Sequence, residues 1–138
     1  MRRRFILPLI PLIAAVSCTG VPRDTNGIAN QKAADDIKLA RLLNGYTPSA
    51  PEACLPQESG RYHTQGVGDT LLYSQTRDVI YRNNTTGCAG VERGDVLLTR
   101  NNGSRLCRGQ IAQTFDAISR VHTGSCSFGD FIPYRKNP

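Results

Sequence analysis

Histidine is scarce in this chain: His63 and His122 are the only two among 138 residues, and they lie far apart. A zinc site would have to draw on cysteines as well, and it loses those donors once the cysteines pair with one another. A cysteine–histidine nucleophile fails for the same reason, because a disulfide sulfur is not a thiolate. Long apolar runs are also missing. The longest, from Phe5 to Val16, has 12 residues with Pro8 and Pro11 inside it, short of the roughly 20 that a membrane-spanning helix needs. Lysine is nearly absent beyond Lys38, with Lys136 the single later one. There is no phosphate-binding glycine loop, heptad pattern, internal repeat or low-complexity tract.

The start of the chain reads as an export signal: Arg2, Arg3 and Arg4, then the apolar run, then small residues. A twin-arginine signal fits poorly, because Met1 and Leu7 depart from that pattern. Ala15-Val16-Ser17-Cys18 resembles the lipobox of bacterial lipoproteins, with Ala15 where that family usually has leucine. The resemblance implies lipid on Cys18 and attachment to a membrane through it. Ordinary cleavage after Ser17, leaving Cys18 as a free thiol, is the other reading. Cysteine parity favours lipidation, since removing Cys18 from the five cysteines leaves Cys54, Cys88, Cys107 and Cys126, an even set suited to an oxidising periplasm.

Cleavage before Cys18 removes 17 of the 138 residues and leaves 121, enough for one domain. The leader takes three of the 17 basic residues with it, so 14 basic residues face 11 acidic ones, a net of +3. That is a mild excess without a concentrated stripe, and nucleic acid is not an expected partner.

Residues 18–30 are polar and carry Gly20, Pro22 and Gly27, which predicts a flexible tether. Over 31–45, Ala33, Ile37, Ala40 and Leu43 recur at helical spacing, with Asp35 and Asp36 early, Arg41 late and Asn44-Gly45 as the stop. This predicts one short amphipathic helix. Residues 46–53 hold Pro48 and Pro51 and read as a linker, and 54–138 form the compact domain.

That domain reads as β-strands and turns. Strands are expected at Gly60–Val67, Thr70–Ser74, Asp78–Arg82 and Asp95–Thr99. A hairpin follows, pairing Gln110–Asp116, with Ile111 and Phe115 on one side, to Ser125–Ile132 across a polar turn. Six strands spaced about ten residues apart predict a mainly β fold, a small antiparallel barrel or sandwich with one short N-terminal helix and disulfide bonds. Four cysteines allow three pairings. The preferred one is Cys54 with Cys126, tying the start of the domain to its last strand, and Cys88 with Cys107, tying the loops around the fourth strand.

Cys54-Leu-Pro, Asp69-Thr-Leu-Leu, Tyr81, Cys88-Ala-Gly, Leu106-Cys107-Arg-Gly-Gln and the run Gly124 to Tyr134 together resemble a group of small exported proteins of proteobacteria, sphingomonad-like ones especially. The likeness covers residues 38–138. It implies an exported location and a β-rich fold and brings no activity with it.

Function must then come from surface groups. Asp69, Asp78, Asp95, Asp116 and Asp130 sit at strand ends and turns, where aspartate commonly bonds nearby backbone N–H groups. Asp130, following Gly129 in an apolar strand, is either turned outward by a bulge or buried against a partner such as Arg108. The arginines suggest an anion-binding face, with Arg82, Arg100 and Arg108 as candidates. The expected function is a non-enzymatic cell-envelope lipoprotein or secreted binding module with an anionic envelope component or a protein as partner, and with no metal or cofactor. The alternatives are a small periplasmic hydrolase using aspartates and a periplasmic enzyme inhibitor, although the serine-glycine loop of the barrels that inhibit lysozyme is not found.

Overall fold

Thr70–Ser74 alternates Thr70 and Leu72 on one face with Leu71 and Tyr73 on the other, and all four are buried. A strand buried on both faces belongs in the middle of a layered structure, and that is where the chain puts it. A computed structural model describes residues 25–56, 61–99 and 105–138. In chain order these form α1 (Thr25–Leu42), β1 (Tyr46–Pro48), β2 (His63–Val67), β3 (Thr70–Ser74), β4 (Val79–Asn84), a 3-10 turn (Ala89–Arg93), β5 (Val96–Thr99), β6 (Ile111–Phe115), β7 (His122–Ser127) and β8 (Phe131–Lys136).

Two antiparallel sheets result, one of five strands in the order β1-β8-β4-β3-β2 and one of three in the order β5-β6-β7. They face each other as a sandwich and do not close into a barrel. Between them lies the main core, in which Leu55, Leu71, Tyr73, Tyr81, Phe128 and Phe131 surround Cys88 and Cys126. The opposite face of the five-stranded sheet, carrying Val67, Leu72, Ile80 and Tyr134, is covered by Leu39, Leu42 and Leu43 from the end of α1. The order is therefore helix, five-stranded sheet, three-stranded sheet.

Several expectations are corrected. The helix begins at Thr25 rather than Gln31, so residues 25–30 of the expected tether are helical. The i,i+4 contacts Gln31–Asp35 and Lys32–Asp36 support this exposed half where no apolar face is needed. The expected linker contains β1, whose Pro48 registers with Tyr134 of β8, and Glu52 bridges Phe131. Extended proline-containing chain suits a sheet edge because its missing donor faces away from the ladder. The expected strand over 125–132 is two strands in different sheets, broken at Phe128–Asp130 where the chain crosses between layers. Gly129 is required at that crossing, since a Cβ there would lie 2.5 Å from the Asn84 carbonyl oxygen. The described residues thus hold eight strands instead of six.

The crossover also decides the disulfides. Cys54 bonds Cys107, and Cys88 bonds Cys126, in place of the expected Cys54–Cys126 and Cys88–Cys107. Thr86 and Ser127 exchange backbone hydrogen bonds, each 3.1 Å, and so set Cys126 beside Cys88 on the inner face. Cys54 and Cys107 stand opposite one another in a short bridge, flanked by Leu55 N–H to Leu106 C=O and Arg108 N–H to Ala53 C=O, both 2.8 Å. Sequence separations of 53 and 38 residues give each bond about 4 kcal/mol by loop entropy.

Asn83, fully buried on β4, holds the crossover itself. Its side-chain oxygen accepts the Gly129 N–H at 3.0 Å, while its amide nitrogen donates to the Gly129 carbonyl at 2.8 Å and the Asp130 carbonyl at 3.3 Å. Asn83→Ala would leave a buried donor and acceptor of Gly129 without these partners, and should lower unfolding stability by about 2–4 kcal/mol. Urea unfolding checks this, and a loss below about 1 kcal/mol would contradict the assigned role.

Candidate docking surface

The outer face of the three-stranded sheet is covered by no other described element. Along β5, Leu97 turns toward the core while Val96 and Leu98 turn out. On β6, Ala112 and Thr114 turn in, and Ile111, Gln113 and Phe115 turn out. The register aligns Val96, Phe115 and His122 in one row and Leu98, Gln113 and Ser125 in another. The side that carries Ile111 and Phe115 is therefore the outer one, and the reason is steric. Ala112 is the partner of Cys126, whose disulfide to Cys88 fills the space between the sheets there, so only a small side chain fits inward.

The loop joining β6 and β7 extends this face. Ile118 is 93% exposed and Val121 is 60% exposed. Five of the seven large apolar residues exposed among those described, Val96, Leu98, Ile111, Ile118 and Val121, lie on this one sheet and its loop. Scattered exposed apolar residues are normal, but a gathered set marks a contact surface.

The loop is held in shape by Asp116. Its carboxylate accepts the Ser119 N–H at 2.6 Å, the Ser119 hydroxyl at 2.8 Å and the Ile118 N–H at 3.1 Å. The backbone closes the turn through Asp116 N–H to Val121 C=O and Arg120 N–H to Asp116 C=O, both 2.9 Å. Arg120 takes a left-handed conformation, φ 57°. At the loop's base the His122 ring meets Phe115 edge-on at 5.4 Å. A bulge between Thr114 and Phe115 turns the Thr123 hydroxyl toward Thr114 and Asp95, at 2.9 and 2.7 Å.

A concavity of about 740 Å³ opens beneath the first half of α1, against the β2–β3 turn and the 3-10 turn. Two of its carboxylates have cationic partners. Glu92 receives the Lys38 ammonium at 2.5 Å and the Gly68 N–H at 2.8 Å, and these, the Lys38 contact first, hold its carboxyl below the usual range. Asp36 pairs with Lys32 at 2.8 Å. Gly68, at φ +52°, lies so close to the Asp35 carboxylate that a Cβ would collide with it. These contacts fasten the helix to the sheet.

Two of the three arginines expected to bind an anion are among the described residues. Arg82 lies on β4, its Nε 3.0 Å from the Asn84 side-chain oxygen. Arg108 lies before β6 and forms an ion pair with Asp130 at 3.0 Å. Asp130 thus has the partner anticipated for it, but at the surface, its side chain 42% exposed. Arg100 and Cys18 fall outside the described residues. Among the described residues no three metal-ligating side chains cluster, and His63 is exposed at the start of β2. The apolar outer face was not anticipated as a site. Ile118 and Val121 within a turn otherwise made of polar and small residues were its one visible signal.

No protein-family model matches the chain, and no curated protein or solved structure matches it either.

The Ser119 N–H and hydroxyl, followed by the Ile118 N–H, hold the Asp116 carboxyl below its ordinary value. A group shifted in that direction favours the ordered loop above the ordinary carboxylate range and loses the effect as pH falls through the lowered value. In an NMR titration the Ile118 and Ser119 amide signals should therefore move with a midpoint below about 3.9, and Asp116→Ala should abolish the transition. A midpoint at or above that value would contradict the assigned role.

Proposed function

We propose that the protein is a non-enzymatic cell-envelope module, tethered to a membrane by lipid on Cys18, that acts by contact through the outer face of its three-stranded sheet and the 116–121 loop. The observation carrying this reading is the gathering of exposed Val96, Leu98, Ile111, Ile118 and Val121 on a sheet and its loop whose outer face no other described element covers. The two disulfides support an exported location, since such bonds persist in oxidising compartments. Three of the aspartates that a hydrolase would need have carboxylates engaged in structural contacts. Asp116 shapes a turn, Asp95 receives the Thr123 hydroxyl and Asp130 pairs with Arg108, while the main-chain carbonyls of Asp69 and Asp78 accept bonds from Thr85 and Lys136.

The anchor is tested by mass spectrometry of the mature amino terminus and by cell fractionation. Acylated Cys18 at the terminus and recovery with membranes are expected, with Cys18→Ser either releasing the protein or leaving it unprocessed. A free Cys18 thiol on a soluble protein would defeat the lipoprotein part of the reading. Hydrolysis of an envelope glycan that is lost on Asp→Asn exchange would replace the module with the enzyme.

A further inference from the structure

We propose that the 116–121 loop inserts into the surface of an anionic phospholipid bilayer, with Ile118 and Val121 entering the acyl boundary and Arg120 meeting the headgroup phosphates. The proposal rests on the tethered-module reading above and names the surface that the outer face contacts.

The loop is suited to this before any membrane is present. Five hydrogen bonds in and around Asp116 fix its backbone, so holding Ile118 in solvent is a property of a shaped turn. Little conformational entropy remains to be lost on docking. The sequence Ile118-Ser119-Arg120-Val121 sets one cation between two exposed apolar side chains, matching the chemical gradient from acyl chain to phosphate at an interface. The Asp116 carboxylate of the same loop is engaged by its three donors.

The position of the tether points the same way. Cys18 precedes Thr25, the first helical residue, by seven positions, and even fully extended chain of that length reaches at most about 25 Å. The helix start and the loop base flank the same 3-10 turn. Arg93 in that turn lines the concavity with Gly27 and Ile28, and Asp95, two residues later, binds Thr123 at the start of β7. A lipid on Cys18 would hold this part of the molecule within reach of the bilayer. Arg93 and Arg120 form no ion pair among the described residues, and both are available to phosphates. A second copy of the chain is the weaker occupant, because headgroup phosphates supply the opposite charge for Arg120 directly beside an apolar interior for Ile118 and Val121.

The chain contains no tryptophan, so Ile118→Trp introduces a single reporter at a solvent-facing site, and Ile37→Trp on the exposed side of α1 provides a control. The mature protein, lipidated or not, is mixed with vesicles of phosphatidylglycerol and phosphatidylethanolamine whose acyl chains are brominated or plain. Bromine should quench the Ile118→Trp reporter and leave the Ile37→Trp control unchanged, and adding Arg120→Glu should reduce the quenching. Equal or absent quenching at the two positions would overturn the proposal. So would emission from the Ile118→Trp reporter that shifts to the blue with protein concentration before lipid is added, since the occupant would then be a second copy. The mass of the amino terminus decides the tether separately, and loop insertion can fail while the tether stands.

Discussion

The crossover from β7 to β8 joins the two sheets, and the Asn83 side chain grips it with both ends of its amide. The grip depends on Gly129, because the backbone passes so near the Asn84 carbonyl that no Cβ could be accommodated. With 128–130 fixed, Phe128 and Phe131 fall into the core with ring centres 6.4 Å apart. Thr86 then meets Ser127, and Cys126 reaches Cys88. A buried asparagine with every bond satisfied is stabilising and specific, whereas one missing a partner is costly. This cluster therefore commits the chain to one relative placement of its two layers.

That placement determines which faces are left open. The five-stranded sheet is covered on one side by the second sheet and on the other by the last turns of α1, through Leu39, Leu42 and Leu43. Among the described residues, the three-stranded sheet has only its inner face covered. Its inward residues on β6 are small next to the Cys88–Cys126 bond, and Val96, Leu98 and Ile111 point away. The functional reading follows from that division and owes little to any single charged group.

Much of the fold was legible in the sequence because its strands state their own environment. Thr70–Ser74 has apolar character on both faces, and Val79–Asn84 follows it across a short polar turn, so the central hairpin could be placed directly. The helix was recognised by its packed half, but its start was not, since Thr25–Asn30 has no apolar period to show. The disulfide pairing depends on where the chain crosses between sheets, and Gly129 reads equally well as a bulge inside one strand. The orientation of β6 was hidden for a related reason. Ile111 and Phe115 are the larger residues, and only the disulfide between the layers explains why Ala112 and Thr114 take the inner side. The ion pair of Arg108 with Asp130, 22 residues away in sequence, could be named only as one of two readings, because the surroundings of Asp130 depend on where the chain crosses between sheets.

The central claim is that an open sheet face and its shaped loop meet a membrane surface while the sandwich behind them stays unchanged. Hydrogen–deuterium exchange of the mature protein with and without anionic vesicles addresses it directly. The account predicts added protection confined to residues 111–122 and the facing β5, with β3, β4 and β8 unaltered. Protection centred on the exposed half of α1 or on the Arg82 and Arg108 region, or none at all, would contradict it.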